Sequence, residues 1–189
     1  STAYFIFGLI QAITGYAACV FYRQELFAEN EHAYPRVGKG GHNELVVYFS
    51  RMGYARKLAM EAANATGADV YEVRSTELTA GTPGFWWCGR YGMHKWAMPI
   101  QPVDIDLSAY RHVTICSPIW VFALAAPVRS FCQAAAGQIR AADYILVHHQ
   151  GDAYENAAEE MDRLLGVTHT ALRSIQCREG VYKERGRRK

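Results

Sequence analysis

The sequence ELVVYFSRMGYARKLAMEAANAT, residues 44–66, places a short apolar run directly before a glycine-bearing turn and a helical pattern. Residues 44–49 have the length and composition of a buried strand. From Gly53 onward, apolar side chains recur at the three- and four-residue spacing of a helix. A strand that runs through a tight turn into a helix predicts the first half of a strand–helix–strand unit, and therefore a parallel sheet.

The same alternation continues along the chain. Four further runs have strand character: residues 69–73, 112–116, 143–148 and 170–176. Helical patterns follow at 125–136, which has Pro127 in its first turn, and at 154–165. Strands that alternate with helices predict an α/β domain over residues 44–177 with a doubly wound, five-stranded parallel sheet in the order 2-1-3-4-5. Few and mostly charged residues remain after the fifth strand, so we expect the last helix of such a sheet to be absent.

Residues 75–110 are long for a crossover between strands. They contain three tryptophans and several glycines and prolines. This composition predicts an irregular aromatic excursion rather than a regular helix.

An uncharged run of twenty residues, AYFIFGLIQAITGYAACVFY at 3–22, precedes the domain. About 20 helical residues cross a hydrocarbon core about 30 Å thick, so residues 1–23 are predicted to form one transmembrane helix. Two alternatives are a core helix, which is usually shorter and has a polar stripe, and a cleaved signal peptide, for which residues 16–19 offer a weak site. Residues 1–2 carry no basic side chain, so we expect the anchor to be retained.

Basic residues cluster after this run, and not before it. Arg23 follows it directly, and Arg36 and Lys39 lie in a polar, glycine-bearing stretch that predicts a linker over 24–43. The positive-inside tendency therefore predicts a single-pass protein of the inner (cytoplasmic) membrane, with its globular domain in the cytoplasm. The basic tail, residues 178–189, is expected either to touch anionic lipid headgroups or to be a solvated end.

Small side chains form a stripe on the predicted anchor. They recur at steps of four, three and four residues, which places them on one helix face: Gly8, Ala12, Gly15 and Cys19. Such a stripe lets another membrane helix approach closely. We therefore expect transmembrane partner subunits, although glycine and alanine are also common in membrane helices.

Composition excludes several kinds of function. A net charge of +2 over 189 residues and a mean hydropathy near zero do not indicate a nucleic-acid partner. The five cysteines form no CxxC pair, which agrees with a reducing cytoplasm and does not predict a zinc site. His148 and His149 are adjacent on a strand end and point to opposite faces, so neither a metal site nor histidine catalysis is expected.

Three loops are predicted to meet at the carboxyl edge of the sheet, where such sheets bind ligands. The first, residues 50–57, joins turn amides to a helix N-terminus, and Ser50, Arg51 and Arg56 add donors for an anion such as phosphate. The second and third loops follow later strands, at 117–131 and 148–154. A phosphate and a flat aromatic ring would fit side by side at this edge.

The order and spacing of these elements resemble the flavodoxin-like family over residues 44–176. The first loop is similar to the family's phosphate loop, and Ser117-Pro118-Ile119-Trp120 is similar to its second flavin loop. The resemblance implies FMN binding and one- or two-electron transfer. It also implies a cofactor site made of Ser50, Arg51, Gly53, Tyr54, Arg56, Pro118, Trp120, Phe122, Gln150 and Gly151.

Two departures concern the cofactor. Met52 and Ala55 stand where the family has hydroxyl side chains, and each lost hydrogen bond to a charged group is worth about 1.5–3 kcal/mol. Arg51 and Arg56 are expected to compensate. In the second loop the bulky residues 121–124 replace small ones, so Phe122 either stacks on a flavin or fills its pocket, and Trp120 either flanks the ring or belongs to the core.

Two functions follow from these patterns. The first is a membrane-tethered FMN protein that transfers electrons at a membrane complex or to a quinone, either as an electron carrier or as an FMN-dependent oxidoreductase. The second is a flavin-free accessory or scaffold subunit of a larger membrane complex. The altered phosphate loop, the bulky second loop, the small-residue stripe and the missing last helix favour the second.

Overall fold

A mixed sheet forms the centre of the protein in a computed structural model, which describes residues 2–26, 41–151 and 153–188. The helices are α1 (Thr2–Leu26), α2 (Tyr54–Thr66), α3 (Gly81–His94), α4 (Ala126–Ala134) and α5 (Glu155–Leu165), with a short 3₁₀ helix at Leu107–Ala109. The strands are β1 (Gly41–Tyr48), β2 (Ala68–Glu72), β3 (His112–Trp120), β4 (Ala123–Leu124), β5 (Ala142–His148), β6 (Ala171–Arg178) and β7 (Val181–Arg188).

The strands of the sheet follow the order β2-β1-β3-β5-β6-β7, and β4 pairs with β3. The five strands β1, β2, β3, β5 and β6 are the predicted ones, and they pair in parallel. The two others are antiparallel. The prediction of a wholly parallel five-stranded sheet is therefore wrong in strand count and in the complete order, because β4 and β7 were not foreseen.

Both additional strands are the second arms of two-residue hairpins. Val121 and Phe122 join β3 to β4, and Glu179 and Gly180 join β6 to β7. All four residues have positive φ, between 49° and 78°, as a type I′ turn requires. A two-residue strand and a strand in which half of the residues are basic carry no apolar periodicity, which is why the sequence pattern did not reveal them.

Most of the predicted basic tail is thus an edge strand, β7. Its charged side chains contact β6: Arg173 Nε donates to Glu184 Oε1 at 3.3 Å, and Arg185 Nε donates to Gln176 Oε1 at 2.8 Å. After the fifth parallel strand the chain therefore adds a strand, and the described residues contain no helix beyond α5.

Helices cover the two faces of the sheet unequally. Helix α2 packs on one face, where Val46, Ile145 and Ile175 are buried with Leu58 and Ala59 of the helix. Helices α4 and α5 pack on the other face against the larger cluster of buried side chains. This arrangement leaves the carboxyl ends of the parallel strands open at one edge.

Helix α3 occupies the region predicted to be irregular. Its glycines and Pro83 lower helix propensity, which hid it in the sequence. Two of those glycines allow close packing instead. A Cβ on Gly84 would lie 2.2 Å from the carbonyl carbon of Thr79, and one on Gly92 would lie 2.9 Å from the carbonyl oxygen of Trp120. At Gly92, close contact with a distant segment therefore goes with a residue that local propensity disfavours.

Helix α1 is the predicted apolar helix. Its segment Thr2–Arg23 is long and apolar enough to cross a membrane, and none of that segment's most apolar stretch is buried in the protein. The helix continues to Leu26 and β1 begins at Gly41, so both extend into the predicted linker. The rest of that linker, 27–40, lies outside the described residues.

Candidate functional site

A cavity of about 230 Å³ lies at the carboxyl edge of the sheet. Each of the three predicted loops contributes to its wall, through Ser50, Trp120 and His149 among others. Helices α1 and α3 complete the wall with Phe21 and Phe85. The three loops therefore do meet at one site, as the strand order predicted.

The side chain of Ser50 stabilises the conformation of the first loop. Ser50 Oγ accepts a hydrogen bond from the backbone N–H of Gly53 at 2.9 Å. Gly53 has φ 90° and precedes α2, whose first turn closes when Lys57 N–H donates to the Gly53 carbonyl at 2.9 Å. The loop thus presents a helix N-terminus to the cavity, with Ser50, Tyr54 and the apolar Met52 and Ala55 in the wall.

The two arginines of this loop point in different directions. Arg51 lines the cavity, and its guanidinium carbon lies 5.2 Å from the ring centroid of Phe21 and 5.7 Å from that of Phe85. Arg56 lies near Tyr48 and does not line the cavity. Burial raises the pKa of Tyr48, and Glu72 adds to that rise, whereas Arg56 opposes it. Of the predicted basic phosphate ligands, only Arg51 faces the cavity.

Only some of the predicted residues of the second loop line the cavity. Pro118 and Trp120 line the cavity, and the Trp120 ring meets that of Phe49 edge to face at 5.5 Å. Val121 lines it as well, although it was not predicted. Phe122 does not line the cavity, because the turn directs it outward and leaves 62% of the residue exposed. Phe122 therefore does not fill the cavity in this structure.

The third loop contributes different residues from those predicted. His148 and His149 line the cavity, whereas Gln150 and Gly151 do not. Gln150 instead donates through Nε2 to the Tyr16 hydroxyl of α1 at 3.4 Å. Gly53 and Arg56, of the first loop, lie outside the wall in the same way.

The two histidines have different surroundings. His148 is buried, with Nε2 2.9 Å from Ser174 Oγ and Nδ1 against the carbonyl of Gln150. His149 is partly buried, and its pKa is lowered by burial and then by the nearby positive charge of Arg178. Both effects favour a neutral His149 at the cavity wall.

Helices α1 and α3 contribute wall residues that the sequence pattern did not predict. Phe21 and Phe85 meet with ring centroids 4.4 Å apart, and Cys88 lies behind them. Burial raises the pKa of Cys88 to about 11, although Arg51 opposes the rise, so its thiol stays protonated at neutral pH. No local pattern marks these residues as site residues, because only the packing of distant segments brings them together.

The charge and polarity of the wall suit a flat ring joined to an anion. Among the described residues that line it, none is acidic, and Arg51 is the fixed cation. The remaining wall is largely aromatic and aliphatic, as flat organic ligands require. Residues that match FMN chemistry are therefore present: loop amides and Arg51 for phosphate, and Trp120 for a ring. In the described part of the chain, no group of three or more His, Cys, Asp or Glu side chains could hold a metal ion.

No family model matches the chain, and no curated protein is similar to it in sequence. Solved structures are similar in fold. A flavoprotein from Lactobacillus acidophilus, in complex with FMN, has a TM-score of 0.58 and 16% identity, over 72% of this chain and 93% of its own.

Two Bacteroides proteins described as flavoproteins are also similar. The one from Bacteroides uniformis has a TM-score of 0.62 and 20% identity, over 75% of this chain and 94% of its own. The one from Bacteroides eggerthii has a TM-score of 0.58 and 19% identity, over 73% and 87%. The globular part of this chain therefore has the fold of these flavoproteins, a flavodoxin-like α/β fold.

Proposed function

We propose that this protein is a membrane-tethered, flavodoxin-like FMN protein that transfers electrons at a membrane complex or to a quinone. The observation that carries the proposal is the cavity at the carboxyl edge, into which the phosphate-loop residue Arg51 and the second-loop residue Trp120 both project. The FMN complex of the similar Lactobacillus acidophilus protein supports the choice of cofactor.

Each part of the wall has a role in this proposal. The loop amides after Ser50 and the Arg51 guanidinium bind the phosphate, and Trp120 and Pro118 border the ring. Phe21 and Phe85 exclude water from one side of the cavity. A bound flavin supplies one- and two-electron redox chemistry, and the protein positions it.

The tether sets where this chemistry takes place. Helix α1 as a single span would keep the domain on the cytoplasmic face of the membrane, with Phe21 of that helix in the cavity wall. Transmembrane partner subunits would pack on the stripe Gly8, Ala12, Gly15 and Cys19, and the basic side chains of β7 would supplement this with contacts to lipid headgroups.

The test of FMN binding compares two arginines of one loop. The full chain is purified in detergent, and its flavin absorbance and its Kd for added FMN are measured. Arg51→Gln removes a cation from the cavity and should weaken FMN binding by about ten- to a hundredfold, the equivalent of about 1.5–3 kcal/mol. Arg56→Gln removes the same charge from a residue outside the wall and should change the Kd little.

Two results would overturn the proposal. A folded, colourless protein that takes up no FMN would exclude flavin chemistry. Equal losses of affinity in the two variants would show that the phosphate does not lie in this cavity.

A flavin-free scaffold is the second candidate function. It is favoured by Phe21 and Phe85, whose packed rings occupy part of the wall, and by the apolar Met52 in the phosphate loop. In this case partner subunits would co-purify stoichiometrically with a colourless chain. A Cβ on Gly8 or Gly15 would meet nothing within 4 Å, so replacing both by Leu should release the partners without disturbing the chain itself.

A further inference from the structure

Three exposed apolar side chains lie on the segments that wall the cavity, and together they are called the apolar rim: Trp86 (45% exposed), Val121 (45%) and Phe122 (62%). Trp86 belongs to α3, and the other two form the turn of the first hairpin. Exposed apolar side chains mark an interaction surface where they form a contiguous patch.

The apolar rim is continuous with the end of α1. Phe85 connects them, because its ring lies 4.4 Å from that of Phe21 and 5.1 Å from that of Trp86. On the other side, Val121 and Phe21 line the same cavity. The exposed surface thus begins where the apolar helix meets the domain.

Contacts along α1 fix where the domain lies along the axis of that helix. Tyr16 accepts a hydrogen bond from Gln150, Phe21 packs on Phe85, and Arg23 pairs with Glu179 of the second hairpin turn. From Tyr16 to Arg23 a helix rises about 10 Å. Tyr16, Phe21 and Arg23 all lie inside the segment Thr2–Arg23 that is apolar enough to span a membrane. If α1 crosses a bilayer, the carboxyl-edge loops must then lie at its surface.

The chemistry of the rim fits that location. Tryptophan is enriched at membrane interfaces, where its ring lies at the level of the headgroups. A cation of the same helix as Trp86 would meet anionic headgroups there: the Arg90 guanidinium lies 5.7 Å from the ring of Trp87, the neighbour of Trp86 in α3. A type I′ turn favours Asn-Gly, so bulky Val121 and Phe122 are disfavoured by the turn itself.

We propose that the apolar rim lies in the headgroup layer of the same bilayer that α1 crosses, so that the mouth of the cavity faces the membrane surface. This inference rests on the membrane tether of the proposed function, and it adds a second, peripheral contact between the domain and the lipid. A lipid-soluble redox partner would then reach the cavity by a shorter path than a water-soluble one.

The test places a fluorophore at opposite edges of the sheet. Phe122→Cys and Ala136→Cys are made in a Cys19→Ala background, since the other four cysteines are buried, and both introduced sites are exposed. Each full-length variant is labelled with NBD and reconstituted into vesicles of phosphatidylcholine and phosphatidylglycerol that contain spin-labelled lipid. The label at residue 122 should lose most of its emission, and the label at residue 136, before β5, should keep it.

Separate measurements distinguish failure of this inference from failure of the proposed function. Alkaline carbonate washing reports the tether, and flavin absorbance reports the cofactor. A chain that resists washing but shows no quenching at residue 122 overturns the inference and leaves the tether in place. Trp86→Cys is a second rim position for the same measurement, should Phe122→Cys not fold, and an unquenched label there would also overturn it.

Discussion

The two hairpin turns at the carboxyl edge both have positive φ at their two central residues, but they differ in the kind of residue found there. The Glu179-Gly180 turn has glycine at its second position, and the Val121-Phe122 turn has a β-branched and an aromatic residue, all at positive φ. Such residues are strained there, by about 1–2 kcal/mol each. Gly180 suits a type I′ turn, whereas neither Val121 nor Phe122 does. The comparison teaches that the backbone of the turn does not by itself account for Val121 and Phe122.

The largest effect is expected where α3 supports the Val121-Phe122 hairpin. Gly92→Ala places a Cβ 2.9 Å from the Trp120 carbonyl oxygen, so it should destabilise the fold by about 1–3 kcal/mol. Gly89→Ala, in the same helix with nothing within 4 Å, should instead stabilise it by about 0.5–1 kcal/mol. Thermal unfolding in detergent measures both. Equal melting temperatures would show that the hairpin does not depend on this close approach.

The Glu179-Gly180 turn should lose stability when its glycine is removed. Gly180 has φ 78°, so Gly180→Ala is expected to cost about 1–2 kcal/mol. Gly180→Asn should cost less, because asparagine tolerates this conformation. Urea unfolding of the two variants measures the difference, and an unaffected midpoint in Gly180→Ala would mean that β7 contributes little to the fold.

The Val121-Phe122 turn should respond in the opposite direction. Phe122→Gly relieves backbone strain and loses little packing, since Phe122 is 62% exposed, so detergent-solubilised protein should gain about 0.5–1 kcal/mol. Phe122→Leu keeps the strain and serves as the control, with no gain expected. A loss of stability in Phe122→Gly would instead show that the phenyl ring packs within the domain.

The smallest effect concerns pH at the strand that leads into the Glu179-Gly180 turn. The His149 carbonyl accepts hydrogen bonds from Gln176 and Arg178 of β6, and burial followed by Arg178 lowers the His149 pKa from 6.5. A lowered folded-state pKa gives stability that is complete above the unfolded pKa and is lost as the pH falls through the folded value. The melting temperature should therefore fall below about pH 6.5, and less so in His149→Gln. If the melting temperatures of the wild-type chain and of His149→Gln depend on pH in the same way, protonation of His149 does not cause the fall.

Local pattern was sufficient for the parallel core. Strands such as β1 and β5 are continuous apolar runs because both faces of a parallel sheet are buried, and α2 shows its buried face in the spacing of Ala55, Leu58 and Ala59. The meeting of the three loops followed from strand order alone. The place of Ser50 and Trp120 at this edge was likewise predicted from their positions after strands. The apolar helix α1 was predicted from the length of its uncharged run.

Pattern was not sufficient where long-range contacts set the structure. Helix α3 forms despite its glycines, and one of them, Gly92, lets it approach the distant backbone of Trp120. Strand β7 forms because β6 offers it an open edge, not because its sequence favours a strand. Arg51 and Arg56 look equivalent in the sequence, yet only the folded loop separates the one in the cavity from the one at Tyr48.

The sequence by itself determined an apolar helix followed by an α/β domain, because burial imposes a periodicity that each short segment carries on its own. Only the tertiary structure decided that Phe21 and Phe85 wall the cavity and that Phe122 points away from it. It also placed both hairpin turns around the end of α1. Those facts depend on contacts between residues far apart in the chain, and no local pattern records them.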